Sequence, residues 1–209
     1  MTKVQFITGL HGNEYMPTLA IASLGTKQII GNPKALAAGK RYIDADLNSV
    51  FGLNGEGYEH QRAKELLASI DKHISIIDFH TFSAESEPFV IFVDTNCLSL
   101  AKKTGIRKLV YMKKNFKNGR ALINFIPGVS VEVGSHNSSL SFDRTIQVVK
   151  NVDMDIESDE EFEVYEVYDI LTQPGEYKNF QKFDDDFFPV LSGPNPYDFY
   201  GLKARLIDL

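Results

Sequence analysis

The sequence feature that most constrains the fold is the alternation of short apolar runs with segments of helical periodicity. Residues 4–10 form an apolar run of strand length, and residues 16–24 have the pattern of a helix. A second helix is expected at residues 56–72, followed by a strand at 74–79. Further strands are expected at 89–94, 108–112 and 129–133, and further helices at 98–103 and 140–152. This alternation predicts an α/β fold, with a mostly parallel or mixed sheet covered by helices.

The chain changes character after Val152. Residues 153–163 are acidic, residues 162–171 alternate like an antiparallel strand, and the remaining segment is aromatic and rich in Pro and Gly. A chain of 209 residues has room for one domain of ordinary size and a small appendage. We therefore expect a main domain at residues 1–152 and a small C-terminal β subdomain at residues 153–209.

Composition excludes several classes of partner. The chain has 28 acidic and 22 basic residues and a net charge of −6, so it lacks the basic surface that nucleic-acid backbones require. Its apolar runs are shorter than the roughly 18 residues of a membrane-spanning helix. Cys97 is the only cysteine, and residues 4–10 lack the flanks of a secretory leader. We expect a cytoplasmic protein with neither nucleic acid nor membrane as a partner; composition predicts no oligomeric state.

Two histidines and a glutamate follow strands in a pattern that favours a metal site. His11 and Glu14 form an H-x-x-E pair directly after the first strand, and His80 ends the strand at 74–79. Each residue alone is weak evidence, because a histidine at a strand end is usually structural. The carboxyl ends of parallel strands meet at one sheet edge, however, and two histidines with one carboxylate are a common set for catalytic zinc.

Glu132 lies inside an otherwise apolar strand, where an unpaired carboxylate would be costly. Two interpretations are open. Glu132 could share a solvent-facing side of an edge strand with Ser130. Alternatively, it could be a general base that takes a proton from a water activated by the metal.

Five sequence blocks occur in a recognisable order. They are H-G-N-E at 11–14, N-P-K-A-L at 32–36, R-Y-I-D-A-D-L-N at 41–48, D-F-H-T at 78–81 and V-E-V-G at 131–134. Together they resemble the succinylglutamate desuccinylase and aspartoacylase family, which comprises zinc-dependent deacylases related to the carboxypeptidase A type of fold. The F-P-V-L segment at 188–191 and Tyr197 resemble the C-terminal end of that family.

The resemblance implies a role for each matching residue. It implies that His11, Glu14 and His80 hold one zinc ion and that Glu132 activates the water. It further implies that Arg41 polarises the scissile carbonyl and stabilises its oxyanion, which suits a fixed guanidinium in a water-poor site. On the same basis, residues 1–152 would be the zinc hydrolase domain, and residues 153–209 would complete the active site.

The resemblance also implies substrate contacts, but one position departs from the family pattern. Asn48 would meet the substrate, and Tyr197 would reach in from the C-terminal subdomain. The family pattern continues after Asp-Leu-Asn with an arginine that binds the substrate carboxylate, but this chain has Ser49. An arginine also usually precedes the strand of the catalytic glutamate. Arg120 lies nearby, and its alternative interpretation is a charge on a surface loop.

The leading hypothesis is a zinc-dependent amidohydrolase that cleaves the amide bond of an N-acyl amino acid or a similar small amide. A carboxypeptidase-like metallopeptidase is the nearest alternative, and the missing cation at Ser49 counts against it. A zinc-containing binding module without turnover is a second alternative. The presence of both Arg41 and Glu132 counts against that class.

Overall fold

The computed structural model describes residues 3–83, 86–113, 119–154, 161–184, 186–193 and 199–209. The strands are β1 (Val4–Thr8), β2 (Gln28–Ile30), β3 (Ser75–Phe82), β4 (Phe89–Phe92), β5 (Lys108–Tyr111), β6 (Gly128–Ser135), β7 (Glu163–Leu171), β8 (Phe188–Val190) and β9 (Gly201–Ile207). The helices are α1 (Tyr15–Ser23), α2 (Pro33–Ala38), α3 (Tyr58–Ser69), α4 (Leu98–Lys103) and α5 (Ser139–Asp153). Short 3-10 turns lie at Leu47–Ser49, Thr95–Cys97 and Leu122–Asn124. No helix in these ranges is both long and apolar enough to cross a bilayer.

All these strands form one mixed sheet in the order β2-β1-β3-β6-β4-β5-β7-β9-β8. Strands β2, β1, β3 and β6 are parallel neighbours, β4 runs antiparallel to β6, and β5 and β7 continue parallel to β4. Strands β9 and β8 close the edge in antiparallel pairs. The predicted α/β class with a mixed sheet is therefore confirmed.

Strand β3 shows how the sheet places polar residues on one side. Ile77 and Phe79 are fully buried in the apolar cluster that includes residues of α1, α4 and α5. Asp78 and His80 alternate with them along the strand, so they point to the opposite face of the sheet. The same alternation in β6 buries Val131 in this cluster and turns Glu132 to the face of His80. The residues with potential chemistry thus share one face.

The position of β6 excludes one of the two interpretations of Glu132. Strand β6 lies between β3 and β4 in the interior of the sheet. The interpretation of Glu132 as a solvent-facing residue of an edge strand is therefore wrong.

The C-terminal strands belong to the same sheet as the rest of the chain. Strand β7 pairs in parallel with β5, and β9 and β8 follow it. Sheet pairing thus crosses the expected boundary between residues 152 and 153. The division into a main domain and a subdomain stays a prediction.

Residues 29–54, in which Gly31, Pro33, Gly39 and Gly52 predict a loop-rich segment with short strands, also contain the short helix α2. Asn32 caps this helix, because its side-chain oxygen accepts a hydrogen bond of 3.0 Å from the Ala35 N–H. A side chain at Gly12 would collide with the backbone of Ala35. The H-x-x-E turn therefore packs directly on α2, and only glycine fits there.

Glu59 is a buried carboxylate in the first turn of α3, with no exposed surface. It accepts hydrogen bonds from the backbone N–H groups of Ile43 (2.7 Å), Asp44 (2.9 Å) and Ala45 (3.2 Å), and from the Asn32 side chain (3.0 Å). Burial by itself raises the pKa of Glu59, but these hydrogen bonds outweigh it and lower the pKa below its usual value. The ionised side chain therefore stabilises the folded state.

We expect Glu59→Gln to be less stable than wild type by about 1 to 3 kcal/mol at pH 7, because its amide places a donor against other donors. The folded pKa lies below the unfolded one, so this stabilisation is present above the usual glutamate pKa of about 4.3 and is lost as the pH falls through the folded value. The difference should shrink at acid pH in urea unfolding. Glu65→Gln, at a more exposed position on the same helix, is the control. A difference independent of pH would contradict this account.

Candidate active site

The three predicted metal ligands meet at one end of the sheet. His11 and Glu14 lie in the turn between β1 and α1, and His80 lies in β3. Glu14 Oε1 is 2.7 Å from His11 Nδ1, and Glu14 Oε2 is 3.0 Å from His80 Nδ1. One ligand atom of each residue lies within 4.8 Å of the others, and all three residues are buried. The Thr81 N–H also donates to Glu14 Oε2 at 3.1 Å, which fixes the carboxylate.

Each histidine turns its second nitrogen to an aspartate. His11 Nε2 lies 3.0 Å from Asp46 Oδ1, and His80 Nε2 lies 2.7 Å from Asp78 Oδ2. When Nε2–H donates to a carboxylate, Nδ1 presents its lone pair, and metal-binding histidines typically have such a partner. Two Nδ1 atoms and a carboxylate facing each other suit a zinc ion with an open fourth position. The residues present therefore fit a metal.

The electrostatics of the site favour positive charge. Burial by itself raises the pKa of Glu14, but the nearby His11 and His80 outweigh it, and the pKa lies well below its usual value. Burial by itself lowers the pKa of His80, but the charges of Asp78 and Glu14 outweigh it and raise the pKa well above its usual value. Either a protonated histidine or a bound cation can supply the charge that these carboxylates require.

Arg41 lies beside the predicted metal ligands. Its Nη2 donates to Asp46 Oδ2 at 2.9 Å, and its Nη1 is 3.6 Å from Glu14 Oε1. The backbone oxygen of Arg41 accepts a hydrogen bond of 3.1 Å from the Gly12 N–H. Arg41 is therefore held at the site by contacts of both its side chain and its backbone.

Glu132 lies next to His80 in the sheet. The two residues are register partners on parallel strands, so their side chains leave the same face. The Oε2 atom of Glu132 is buried. A carboxylate is thus present beside the predicted metal ligands without belonging to the close set of His11, Glu14 and His80.

The predicted substrate residues have different surroundings. The Oδ1 atom of Asn48 accepts a hydrogen bond of 2.9 Å from the Leu122 N–H, which joins the Asp-Leu-Asn turn to the segment that follows Arg120. Ser49 is half-buried in the same 3-10 turn. Arg120 is half-buried two residues before Leu122. Tyr197 lies outside the described residues, so its predicted contact with the site stays a prediction.

Sequence reasoning missed the roles of Asp46 and Asp78. A signal existed for Asp78, because it precedes His80 by two residues in a strand and therefore shares its face. It is also a fully buried carboxylate, which requires a partner. No spacing rule identifies Asp46, whose contact with His11 joins residues 35 positions apart.

His136 is a further histidine at this edge of the sheet, four residues after Glu132. Its Nδ1 lies 2.7 Å from Thr81 Oγ1, and its Nε2 lies 3.4 Å from Asn13 Nδ2. An amide nitrogen only donates, so this arrangement places the ring proton on Nδ1. Burial lowers the pKa of His136, and the pKa stays below its usual value despite the charge of Glu14. A neutral His136 thus links the end of β3 to the H-x-x-E turn.

A known protein family matches most of the chain. The family model "Succinylglutamate desuccinylase/Aspartoacylase catalytic domain" matches residues 1–152. The chain belongs to this family. The family resemblance inferred from the five sequence blocks is therefore confirmed.

Two relatives named as probable aspartoacylases are longer than this chain. A probable aspartoacylase of Nostoc sp. (strain PCC 7120 / SAG 25.82 / UTEX 2576) is 27% identical over 189 aligned positions, covering 73% of this chain and 63% of that protein. A probable aspartoacylase of Prochlorococcus marinus (strain MIT 9301) is 28% identical over 162 positions, covering 64% of this chain and 54% of that protein. The chain thus spans between about half and two thirds of the length of these relatives.

Solved structures with desuccinylase and aminoacylase names share the fold. The succinylglutamate desuccinylase from Chromobacterium violaceum has a TM-score of 0.76 at 18% identity, with 99% of this chain and 85% of that chain covered. Murine aminoacylase 3 has a TM-score of 0.76 at 18% identity, with 98% and 95% covered. The expected α/β fold of the desuccinylase/aspartoacylase family is confirmed.

Proposed function

We propose that this protein is a zinc-dependent deacylase that hydrolyses the amide bond of an N-acyl amino acid or a similar small amide. The observation that supports this most is the buried set of His11, Glu14 and His80, in which both histidines have an aspartate partner and Arg41 lies alongside. Membership of a deacylase family supports the same reaction class. Small N-acyl amino acids are the substrate class we infer, and a cytoplasmic location stays a prediction.

The proposed metal ligands are His11 Nδ1, His80 Nδ1 and the Glu14 carboxylate. When bound, zinc supplies Lewis acidity, which lowers the pKa of a water molecule toward about 7 and polarises a carbonyl group. Asp46 and Asp78 keep the histidines in the tautomer that leaves Nδ1 unprotonated.

The residues of the chain would then handle the proton and the developing charge. Glu132 takes one proton as the water oxygen forms a bond to the amide carbon. The Arg41 guanidinium stabilises the oxyanion that develops on the former carbonyl oxygen. When the carbon–nitrogen bond breaks, Glu132 returns the proton to the leaving amine, and the products are a carboxylic acid and an amine. Residues 1–152 supply all of these groups, and we propose that residues 153–209 complete the substrate pocket.

Metal analysis combined with a hydrolysis panel tests this function. The purified chain would be assayed for zinc content and for amine release from N-acetyl and N-succinyl amino acids. We expect one zinc per chain and turnover of at least one of these amides. Tight zinc without turnover of any amide or ester would instead indicate a binding module, and turnover restricted to peptides would indicate a metallopeptidase.

Ser49 is expected to change substrate preference rather than abolish activity. Without a guanidinium at this position, an acidic product such as aspartate loses a charged hydrogen-bond partner worth about 1.5 to 3 kcal/mol. That free energy corresponds to a loss of roughly 10- to 150-fold in kcat/KM. We therefore expect neutral N-acyl amino acids to be better substrates than N-acetylaspartate.

The matched variants are Ser49→Arg and Ser69→Arg, which add the same charge at different places. Ser69 is exposed at the end of α3. It precedes the start of β3, whereas His80 lies toward the other end of that strand. Ser49→Arg should reduce or reverse the preference for neutral substrates, and Ser69→Arg should leave it unchanged. If wild type prefers N-acetylaspartate by more than about tenfold, another cation fills the role and this account of Ser49 is wrong.

A further inference from the structure

We infer that Glu59 is a positioning residue for the metal centre, although it contacts none of the proposed metal ligands. Its buried carboxylate fixes the segment that ends at Asp46, and Asp46 in turn contacts His11 and Arg41. This inference rests on the metal centre of the proposed function, and it adds a residue from α3 that lies outside the site.

Each carboxylate oxygen of Glu59 accepts two hydrogen bonds. Oε1 accepts from the Asn32 side chain and the Ile43 N–H, and Oε2 accepts from the N–H groups of Asp44 and Ala45. A carboxylate is the side chain that can accept four hydrogen bonds while donating none. Because three consecutive N–H groups point to one side chain, the direction of the backbone at residues 43–45 is fixed.

The segment that Glu59 holds continues directly into Asp46, which contacts a proposed metal ligand. Asp46 directly follows Ala45, and its two oxygens contact different partners: Oδ1 lies 3.0 Å from His11 Nε2, and Oδ2 accepts from Arg41 Nη2 at 2.9 Å. Both oxygens are in use, so a shift of the backbone before Asp46 would disturb the orientation of His11 and of the guanidinium together.

Asn32 provides a second connection between Glu59 and the turn that carries His11. Its side chain donates to Glu59 and also caps α2, and a side chain at Gly12 would collide with the α2 backbone. The H-x-x-E turn therefore rests on a helix that the same carboxylate helps to hold. Glu59 supports the turn of His11 from two directions.

Zinc affinity provides a test that does not depend on turnover. The binding of zinc alone would be measured by competition with a chelating dye for wild type, Glu59→Gln and the control Glu65→Gln on the same helix. Partners behind a metal-binding histidine are typically worth about 10- to 100-fold in metal affinity. We expect a loss in this range for Glu59→Gln and a change of less than about twofold for Glu65→Gln. Wild-type affinity in folded Glu59→Gln would overturn the inference.

A double variant separates positioning from general destabilisation. Because the connection through Asp46 is then already lost and only the one through Asn32 remains, Glu59→Gln should reduce zinc affinity by a smaller factor in Asp46→Ala than in wild type. Losses that multiply in full would mean that none of the effect of Glu59 passes through Asp46 and would overturn the inference. If Glu59→Gln does not fold, Glu59→Asp keeps the charge but is too short to reach all four donors. Its zinc affinity should then fall by about tenfold, and an unchanged affinity would overturn the inference.

These outcomes are distinct from a failure of the proposed function. Wild type that binds no zinc would overturn the proposed function. Wild type that binds zinc tightly while Glu59→Gln retains the same affinity would overturn only the role of Glu59. A changed visible spectrum of cobalt bound in place of zinc to Glu59→Gln would further support altered ligand geometry, since overall stability alone does not change that spectrum.

Discussion

Glu132→Gln is expected to lose about 10²- to 10⁴-fold in kcat, the range typical for removal of a general base. The amide keeps the size of the side chain but cannot take a proton from water. Glu132 lies beside His80 in register yet outside the close metal set, so the variant should keep its zinc and its fold.

The measurement combines kcat on the best substrate of the panel with zinc content and a thermal unfolding curve. Glu65→Gln is the matched control, because it makes the same chemical change at a more exposed position on α3. A near-normal kcat in a zinc-loaded Glu132→Gln protein would rule out the general-base role. Loss of zinc together with activity would instead make Glu132 a ligand.

His80→Ala is expected to lose most of its bound zinc. The substitution removes one of the three proposed ligands and leaves the buried Asp78 without its histidine partner, which lies 2.7 Å away in the wild-type structure. Removing one partner of a buried charged pair typically costs about 3 to 5 kcal/mol, so the stability of the metal-free protein should also fall. We therefore expect a lower zinc affinity and a lower free energy of unfolding.

Elemental analysis after dialysis checks the metal loss, and circular dichroism checks the fold. His73→Ala is the matched control, because His73 is exposed two residues before β3 begins. Full zinc occupancy in His80→Ala would contradict the ligand assignment. The double variant His80→Ala/Asp78→Ala also removes the Asp78 carboxylate, which has lost its histidine partner. It should therefore recover stability without recovering zinc.

The strands that hold the site could be predicted because their signal is local. The apolar runs before His11 and up to His80, and the one around Glu132, are visible in the sequence itself, and β1, β3 and β6 form there. Parallel neighbours end at the same edge, so the meeting of His11 with His80 followed from those runs. The five sequence blocks identified the family for the same reason, since each is a short local pattern.

Other features required contacts that no local pattern encodes. The direction of β4, and the joining of β7, β9 and β8 to the same sheet, depend on pairing between distant segments. The short helix α2 was not predicted, because six residues give too little periodicity to detect.

The sequence by itself determined the fold class and, through five short local patterns, the family. It also predicted that His11, Glu14 and His80 come together, because the ends of parallel strands converge at one end of the sheet. Only the tertiary structure decided what surrounds those residues. It placed Glu132 on an interior strand, gave His11 and His80 their aspartate partners, and turned Glu59 toward the backbone at residues 43–45. The physical reason is that a charge wholly or partly removed from water must find its partners in space, and for the half-buried Asp46 and the buried Glu59 those partners lie 35 and up to 27 residues away along the chain.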